Sequence, residues 1–254
     1  MQPPSDKPLT HRDSRGAQAR RVCDSLRMDL QAHLDVGDVL PAEAVIAATH
    51  RVSRNAARQA LSMLREEGLV TRKPGAGTLV VSRKTPSAIG SLQAMSEYIK
   101  GGAGRIVNEV LAAREERASP SVARRLERPD GEKVVLIERR RLVDGEPLSL
   151  ETTYVTGAAG RGLLHADLAG TDLFLLMERQ LGIELMSADT AIEALPADDD
   201  AAHMLEVAVG APLLVSGRVV RDCEARAVIC EVVRYRHDRI VLAGATTRER
   251  EPRS

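Results

Sequence analysis

The chain has 254 residues, 43% hydrophobic but only 2% aromatic, so it can build two modest domains whose cores rest on Leu, Val, Ile and Ala. Its formal net charge is zero, which taken whole argues against a nucleic-acid partner, and no apolar run approaches the ~20 residues that span a bilayer. The distribution reverses the first exclusion: residues 1–84 carry 14 Lys and Arg against 9 Asp and Glu, a net of +5, while the remainder carries 22 against 27, a net of −5. A basic first third joined to an acidic remainder suits a DNA reader attached to a domain with other work.

Residues 1–16 are polar and Pro-containing and are expected to be disordered. A helix is predicted over 17–33, with Val22, Leu26, Leu30 and Leu34 recurring every fourth position as its packing stripe. Residues 40–80 then read as a short helix, a tight turn, a longer helix and two short strands around a Gly-rich turn, the order of a winged helix-turn-helix. In the longer helix Ser53 can act as N-cap and Gly68 fits the C-terminal stop. At about 100° per residue, Arg54, Arg65, Arg58, Ser62, Asn55 and Gln59 fall on one arc, and Met63, Ala56, Ala60, Leu64, Ala57 and Leu61 on the other. Arg54 and Arg58 project side by side from the N-terminal half, the half that enters the major groove in helix-turn-helix proteins. There Arg can contact guanine, and Asn or Gln adenine. A solvated basic face would look the same in isolation, but the hairpin that follows favours DNA. Lys73, Pro74, Gly75, Ala76 and Gly77 form its tip, and the two glycines allow positive φ and close approach of backbone to a phosphate.

These residues resemble the GntR family of bacterial transcription regulators. The resemblance rests on Leu40-Pro41-Ala42-Glu43, Val52-Ser53-Arg54, Ala57-Arg58-Gln59-Ala60-Leu61, Glu67-Gly68-Leu69 and Gly75-Ala76-Gly77-Thr78. It implies DNA contacts by Arg54 and Arg58 and a wing at the minor groove. The candidate DNA-binding set is Ser53, Arg54, Asn55, Arg58, Gln59, Lys73, Gly75, Gly77 and Thr78. One departure stands out: Ala44 occupies the position where the family usually has Arg, removing one customary contact.

Residues 83–89 read as a linker. Beyond it, strands are predicted over 105–115, 133–142, 147–155, 183–195, 213–221 and 227–236, with helices over 119–126, 173–181 and 198–207, an α+β pattern. This half resembles the UTRA ligand-binding domain of the HutC branch, through Ile137-Glu138-Arg139-Arg140-Arg141, Asp144-Gly145-Glu146-Pro147, Glu151-Thr152-Thr153-Tyr154-Val155, Gly210-Ala211-Pro212-Leu213 and Tyr235-Arg236-His237-Asp238-Arg239. The resemblance implies a fold like chorismate lyase, an antiparallel sheet with helices, used as an effector sensor and joined as a homodimer. Arg139 and Arg141 share a strand face. If it is inward they need anionic partners, and a phosphate or carboxylate of a ligand would serve; if outward, Glu138 and Glu146 are in reach. The resemblance places Arg139, Arg141, Glu151 and Tyr235 in an effector pocket, with Glu231 as a further candidate. It also weakens an amino-sugar phosphate as effector. Sugar-phosphate sensors of the branch tend to have a Ser-hydrophobic-Tyr turn at Asp172-Leu173-Phe174, and Glu at Ile229.

The expected organisation is a tail over 1–16, a winged helix-turn-helix over 17–82, a linker over 83–89, an effector-binding and dimerisation domain over 90–245 and a tail over 246–254. Cys23, Cys223 and Cys230 make no metal pattern, and their odd number suggests reduced thiols in a cytoplasm. No cofactor or metal is expected. The leading reading is a DNA-binding regulator, usually a repressor in this branch, that takes a short palindromic operator and a small effector. Two alternatives stay open: a winged helix that binds protein, and retained lyase or hydrolase chemistry. His165, His203 and His237 are scattered, with no catalytic or metal spacing around them.

Overall fold

In the computed structural model residues 15–82, 84–88 and 105–244 are described, and the chain divides into two units, Met1–Lys84 and Thr85–Ser254. The disorder expected of residues 1–14 and 246–254, the linker reading of Arg83 and Ile89, and the domain start over 90–104 lie outside the described residues. Among the described residues no helix is long and apolar enough to cross a membrane.

In the first unit, α1 (Arg15–His33) takes in two residues that the sequence reading left in the tail, and buries Ala19, Val22, Cys23, Leu26 and Leu30. Positions 19, 22, 23, 26 and 30 are spaced three and four apart, so one stripe faces the core. A short α2 (Glu43–Thr49) buries Ile46 and Ala47, and α3 (Arg54–Glu66) buries Ala56, Ala57, Ala60, Leu61 and Leu64. The two helices end alike. Val52 N donates to Ala47 O and Arg51 N to Ala48 O; Leu69 N donates to Leu64 O and Gly68 N to Arg65 O. Each pair is a Schellman closure with a left-handed residue between, Arg51 at φ 53° and Gly68 at φ 71°. Three strands complete the unit in the order β1 (Val39–Leu40), β3 (Gly77–Val80), β2 (Val70–Lys73), all antiparallel. The two-residue β1 was not predicted; it is too short to carry a pattern. Arg27 ties α1 to the end of α3 through Glu67, its Nε donating to Oε2 at 3.0 Å.

The second unit is built on a six-stranded antiparallel sheet. Its strands are β5 (Ile106–Arg117), β6 (Lys133–Val143), β7 (Glu146–Thr156), β8 (Leu185–Pro196), β9 (Pro212–Asp222) and β10 (Ala227–Arg236), in the spatial order β5-β6-β7-β10-β9-β8. Among the described residues four helices pack on it: α4 (Pro120–Arg125), α5 (Gly157–Leu163), α6 (Leu173–Arg179) and α7 (Asp199–Leu205). Successive strand residues point to opposite faces, and the sheet uses both. Val135, Ile137, Val155, Val220 and Ile229 form one core with Leu163 of α5 and Leu173, Phe174, Leu176 and Met177 of α6. On the other face Val134 and Cys230 meet α4, and Leu213 and Val215 meet α7.

Further departures from the sequence reading lie in the second unit. Thr85–Ala88, read as linker, is strand β4, paired in parallel with β11 (Ile240–Ala243) from Thr85↔Ile240 to Ala88↔Ala243. Pro86 is tolerated because a two-stranded sheet leaves each strand an open side that needs no donor. Helix α5 was missed because its sequence GAAGRGL is poor helix former. It exists because it lies against the sheet: a Cβ on Gly160 would sit 2.7 Å from Val155 O and 2.9 Å from Val135 Cβ.

Candidate nucleic-acid interface and effector site

Helix α3 is held in register at its N-terminus by Ser53, whose Oγ accepts from Ala56 N at 3.2 Å. With its alanines and leucines buried, Arg54, Asn55, Arg58 and Gln59 are left exposed. Glu43, at the start of α2, accepts from Arg58 Nε at 3.2 Å. The pair is solvent-exposed and worth little in stability, so it orients the guanidinium without sequestering it. In the wing, Ala76 N donates to Lys73 O at 3.1 Å, with Pro74 next and Gly75 at φ 78°. That is the arrangement of a type II turn. Gly77 follows at φ 97° and faces Lys73 across the hairpin. Lys73, Gly75 and Gly77 are exposed and Thr78 is half-buried. The surface therefore offers a row of hydrogen-bonding side chains on a helix and a cationic, glycine-bearing hairpin tip, both needed to read a groove and grip its phosphates.

The second unit holds the other candidate set. Along the face that carries Val135 and Ile137, β6 turns from apolar to charged at the next two positions. Arg139 and Arg141 are 2% and 5% exposed. Their neighbours across the sheet are polar by register: Glu151 lies opposite Arg139, Ser149 and Asn108 opposite Arg141, and Arg218 opposite Glu231. Arg139 Nη2 donates to Glu151 Oε2 at 2.7 Å, and its Nη1 to the carbonyls of Leu168 and Thr171, both at 3.3 Å. Arg141 Nη2 lies 3.0 Å from Glu151 Oε1, and its Nε donates to Asn108 Oδ1 at 3.0 Å. Asp172, the N-cap of α6, reaches the same guanidinium at 3.3 Å. Arg218 contacts Glu231 and lies over the Phe174 ring, 5.3 Å from its centroid. Tyr235 is buried on the same face of β10 as Glu231.

Burial opposes the charge on Glu151, but Arg141 and Arg139 outweigh it and hold the carboxyl below its ordinary range. Burial pushes the Tyr235 phenol up to about 12, with Arg218 pulling it down and Glu151 adding to the rise. The tyrosine is thus a neutral donor at physiological pH. Among the described residues four buried side-chain atoms have no hydrogen-bond partner: Arg139 Nε, Arg218 Nε and Glu231 Oε1 in this cluster, and Arg128 Nε outside it. Unsatisfied guanidinium donors in a buried site are costly, and a ligand oxygen would satisfy them.

A family model described as "UTRA domain" matches residues 103–241, and one described as "Bacterial regulatory proteins, gntR family" matches residues 18–80. The chain is 30% identical to the "Probable transcriptional regulator PhnF" of Escherichia coli strain K12 over 205 residues, 81% of this chain and 85% of the relative. The chain belongs to the GntR family of bacterial regulatory proteins. It is a transcriptional regulator of the GntR type with a UTRA domain. It is 28% identical to the "HTH-type transcriptional repressor NagR" of Bacillus subtilis over 190 residues, 70% of this chain and 73% of that one. The crystal structure of PhnF from Mycobacterium smegmatis superposes with a TM-score of 0.66 at 27% identity, covering 90% of this chain and all of that one.

Within this GntR-family regulator the nine candidate DNA-binding residues all lie in the first unit, and Arg139, Arg141, Glu151, Glu231 and Tyr235 gather on one face of the UTRA sheet. The alternative pairing of the arginines is not what forms: neither Glu138 nor Glu146 meets them, and Glu151 and Asp172 do. Sequence reasoning missed Arg218, Asn108 and Ser149. Arg218 was within reach, since it sits two residues before buried Val220 and opposite Glu231. Asn108 had no signal, because β5 is largely exposed on both faces.

Proposed function

We propose that this regulator is a repressor that binds a short palindromic operator as a homodimer, and that a small anionic effector held by Arg139, Arg141 and Arg218 changes its affinity for that operator. The buried arginine cluster carries the reading: it gathers three guanidiniums on one sheet face, and two of them keep an Nε donor free for an incoming anion. Ser53, Arg54, Asn55, Arg58 and Gln59 are proposed to enter the major groove, with Lys73, Gly75, Gly77 and Thr78 on the phosphates and minor groove. Glu151, Glu231 and Tyr235 complete the effector site. The ligand leaves chemically unchanged, the protein acts in the cytoplasm where its operator lies, and relatives named as repressors support the direction of control. Ligand bound in the UTRA domain would favour one spacing of the two wings over another.

Pairing through the UTRA domain is supported by β8, an edge strand on which residues 191–196 are all exposed, Ile192 and Leu195 among them. A long exposed edge that carries apolar side chains invites another strand or another copy. Ile192→Glu is expected to shift the protein toward monomer in light scattering while keeping its circular dichroism, and to weaken operator binding. An unchanged dimer would remove β8 from the interface.

The proposal is tested by titrating the chain against DNA from its own upstream region in gel-shift assays at several salt concentrations, with small anions added to the complex and recovered for mass spectrometry. A sequence-selective, salt-sensitive complex that an unaltered anion weakens is expected. The absence of any selective complex would sink it, and turnover of the ligand would return the enzyme reading.

A further inference from the structure

The buried cluster is charge-balanced within itself. Three guanidiniums, on Arg139, Arg141 and Arg218, meet three carboxylates, on Glu151, Glu231 and Asp172. The first two carboxylates are strand residues fixed by register. Asp172 is different: it comes from the loop before α6, its side chain is 10% exposed, and it reaches Arg141 Nη2 at 3.3 Å through Oδ2 while Oδ1 accepts from Phe174 N at 3.1 Å. It stands where an incoming anion would meet Arg141, and it already fills that role.

Resting on the reading of this cluster as the effector site, we propose that Asp172 is the residue that sets effector class: it acts as a built-in anion on Arg141, so the site takes a small monocarboxylate and rejects a phosphate dianion. A dianion entering a neutral, water-poor cluster leaves an excess of two negative charges, with Asp172 the nearest repelling group. A single carboxylate leaves one, which the unpartnered Nε donors of Arg139 and Arg218 offset. Neutralising Asp172 turns the cluster net positive and admits the dianion.

Asp172→Asn separates charge from shape, because Asn keeps an oxygen that caps α6 as well as Asp does. Full-length wild type and variant are titrated with inorganic phosphate at mildly alkaline pH, where the dianion dominates, and with acetate as the monocarboxylate probe. Ligand-dependent thermal unfolding gives the apparent affinity. Phosphate affinity is expected to rise at least about tenfold in Asp172→Asn, acetate affinity much less. The phosphate gain should vanish in Asp172→Asn combined with Arg141→Met, whose fold is checked by circular dichroism. Equal phosphate binding by wild type and Asp172→Asn would overturn the role of Asp172 while leaving the anion site standing. A gain that survives loss of Arg141 would place the phosphate elsewhere and overturn the proposal. Binding of neither probe to either protein would count against the anionic effector site itself, and the proposal with it.

Discussion

Arg58→Ala is expected to lower operator affinity by about 10- to 100-fold per half-site, the equivalent of losing one bidentate contact of roughly 1–3 kcal/mol. A palindrome bound by a dimer carries that loss twice. The substitution should leave folding intact, because Arg58 is exposed and its one ion pair, with Glu43 on α2, is at the surface. Ala44 makes the prediction sharper. With no arginine beside Glu43, the proposed recognition has only Arg54, Arg58 and the wing to lean on, so a single loss should be felt strongly. Lys73→Ala provides the contrast: a phosphate contact at the wing tip should weaken all DNA sequences alike and reduce the salt slope by about one per copy. Fluorescence anisotropy with operator and scrambled DNA measures both. Unchanged operator affinity in Arg58→Ala would favour a protein-binding winged helix.

Glu151→Ala should be the most destabilising substitution in the UTRA domain. Glu151 is 6% exposed and shared between two buried arginines. Removing it leaves Arg139 with carbonyl acceptors only and Arg141 with Asp172 as its remaining carboxylate, and breaking a buried pair of this kind costs about 3–5 kcal/mol. For a unit of this size that corresponds to a fall in Tm of roughly 6–20 °C. Coupling should show in a double-mutant cycle: Glu151→Met with Arg139→Met should cost less than the two singles together. The same pair predicts an acid limb. Burial disfavours the charged carboxyl, but Arg141 and Arg139 dominate and lower its folded pKa below the ordinary 4.5. Its contribution is therefore full above that ordinary value and is lost as pH falls through the lower, folded one. Glu151→Gln should flatten this limb in acid unfolding followed by circular dichroism. A Tm within a degree or two of wild type for Glu151→Ala would mean that the cluster is hydrated rather than buried.

The legible parts of this fold were those in which local pattern and tertiary demand agree. Helix α3 carries its own cap at Ser53, its own stop at Gly68 and an apolar stripe, so its boundaries and its exposed polar side followed from spacing alone. Strand β6 was legible for the same reason: alternation put Arg139 and Arg141 on one face. Alternation could not say which face was inward, because the strand is buried on both, and only the family resemblance pointed to Glu151. What failed to show was set by distant residues. Gly160 belongs to a helix because nothing larger fits against Val155 and Val135, and Thr85–Ala88 is a strand because residues 240–243 pair with it. Asp172 entered the sequence reading only as a departure from the turn of sugar-phosphate sensors. Its contact with Arg141, which no spacing in the sequence announces, is what ties it to the proposed effector site.

The most direct test of the account joins the two units in one experiment. Small carboxylates, phosphates and zwitterions are screened by thermal unfolding of the full chain, and each stabilising ligand is added to the preformed operator complex of wild type and of folded Arg141→Met, with DNA release followed by anisotropy. The account predicts a ligand that changes operator affinity of the wild type and has little effect on Arg141→Met. A ligand that shifts operator affinity equally in both proteins would contradict it.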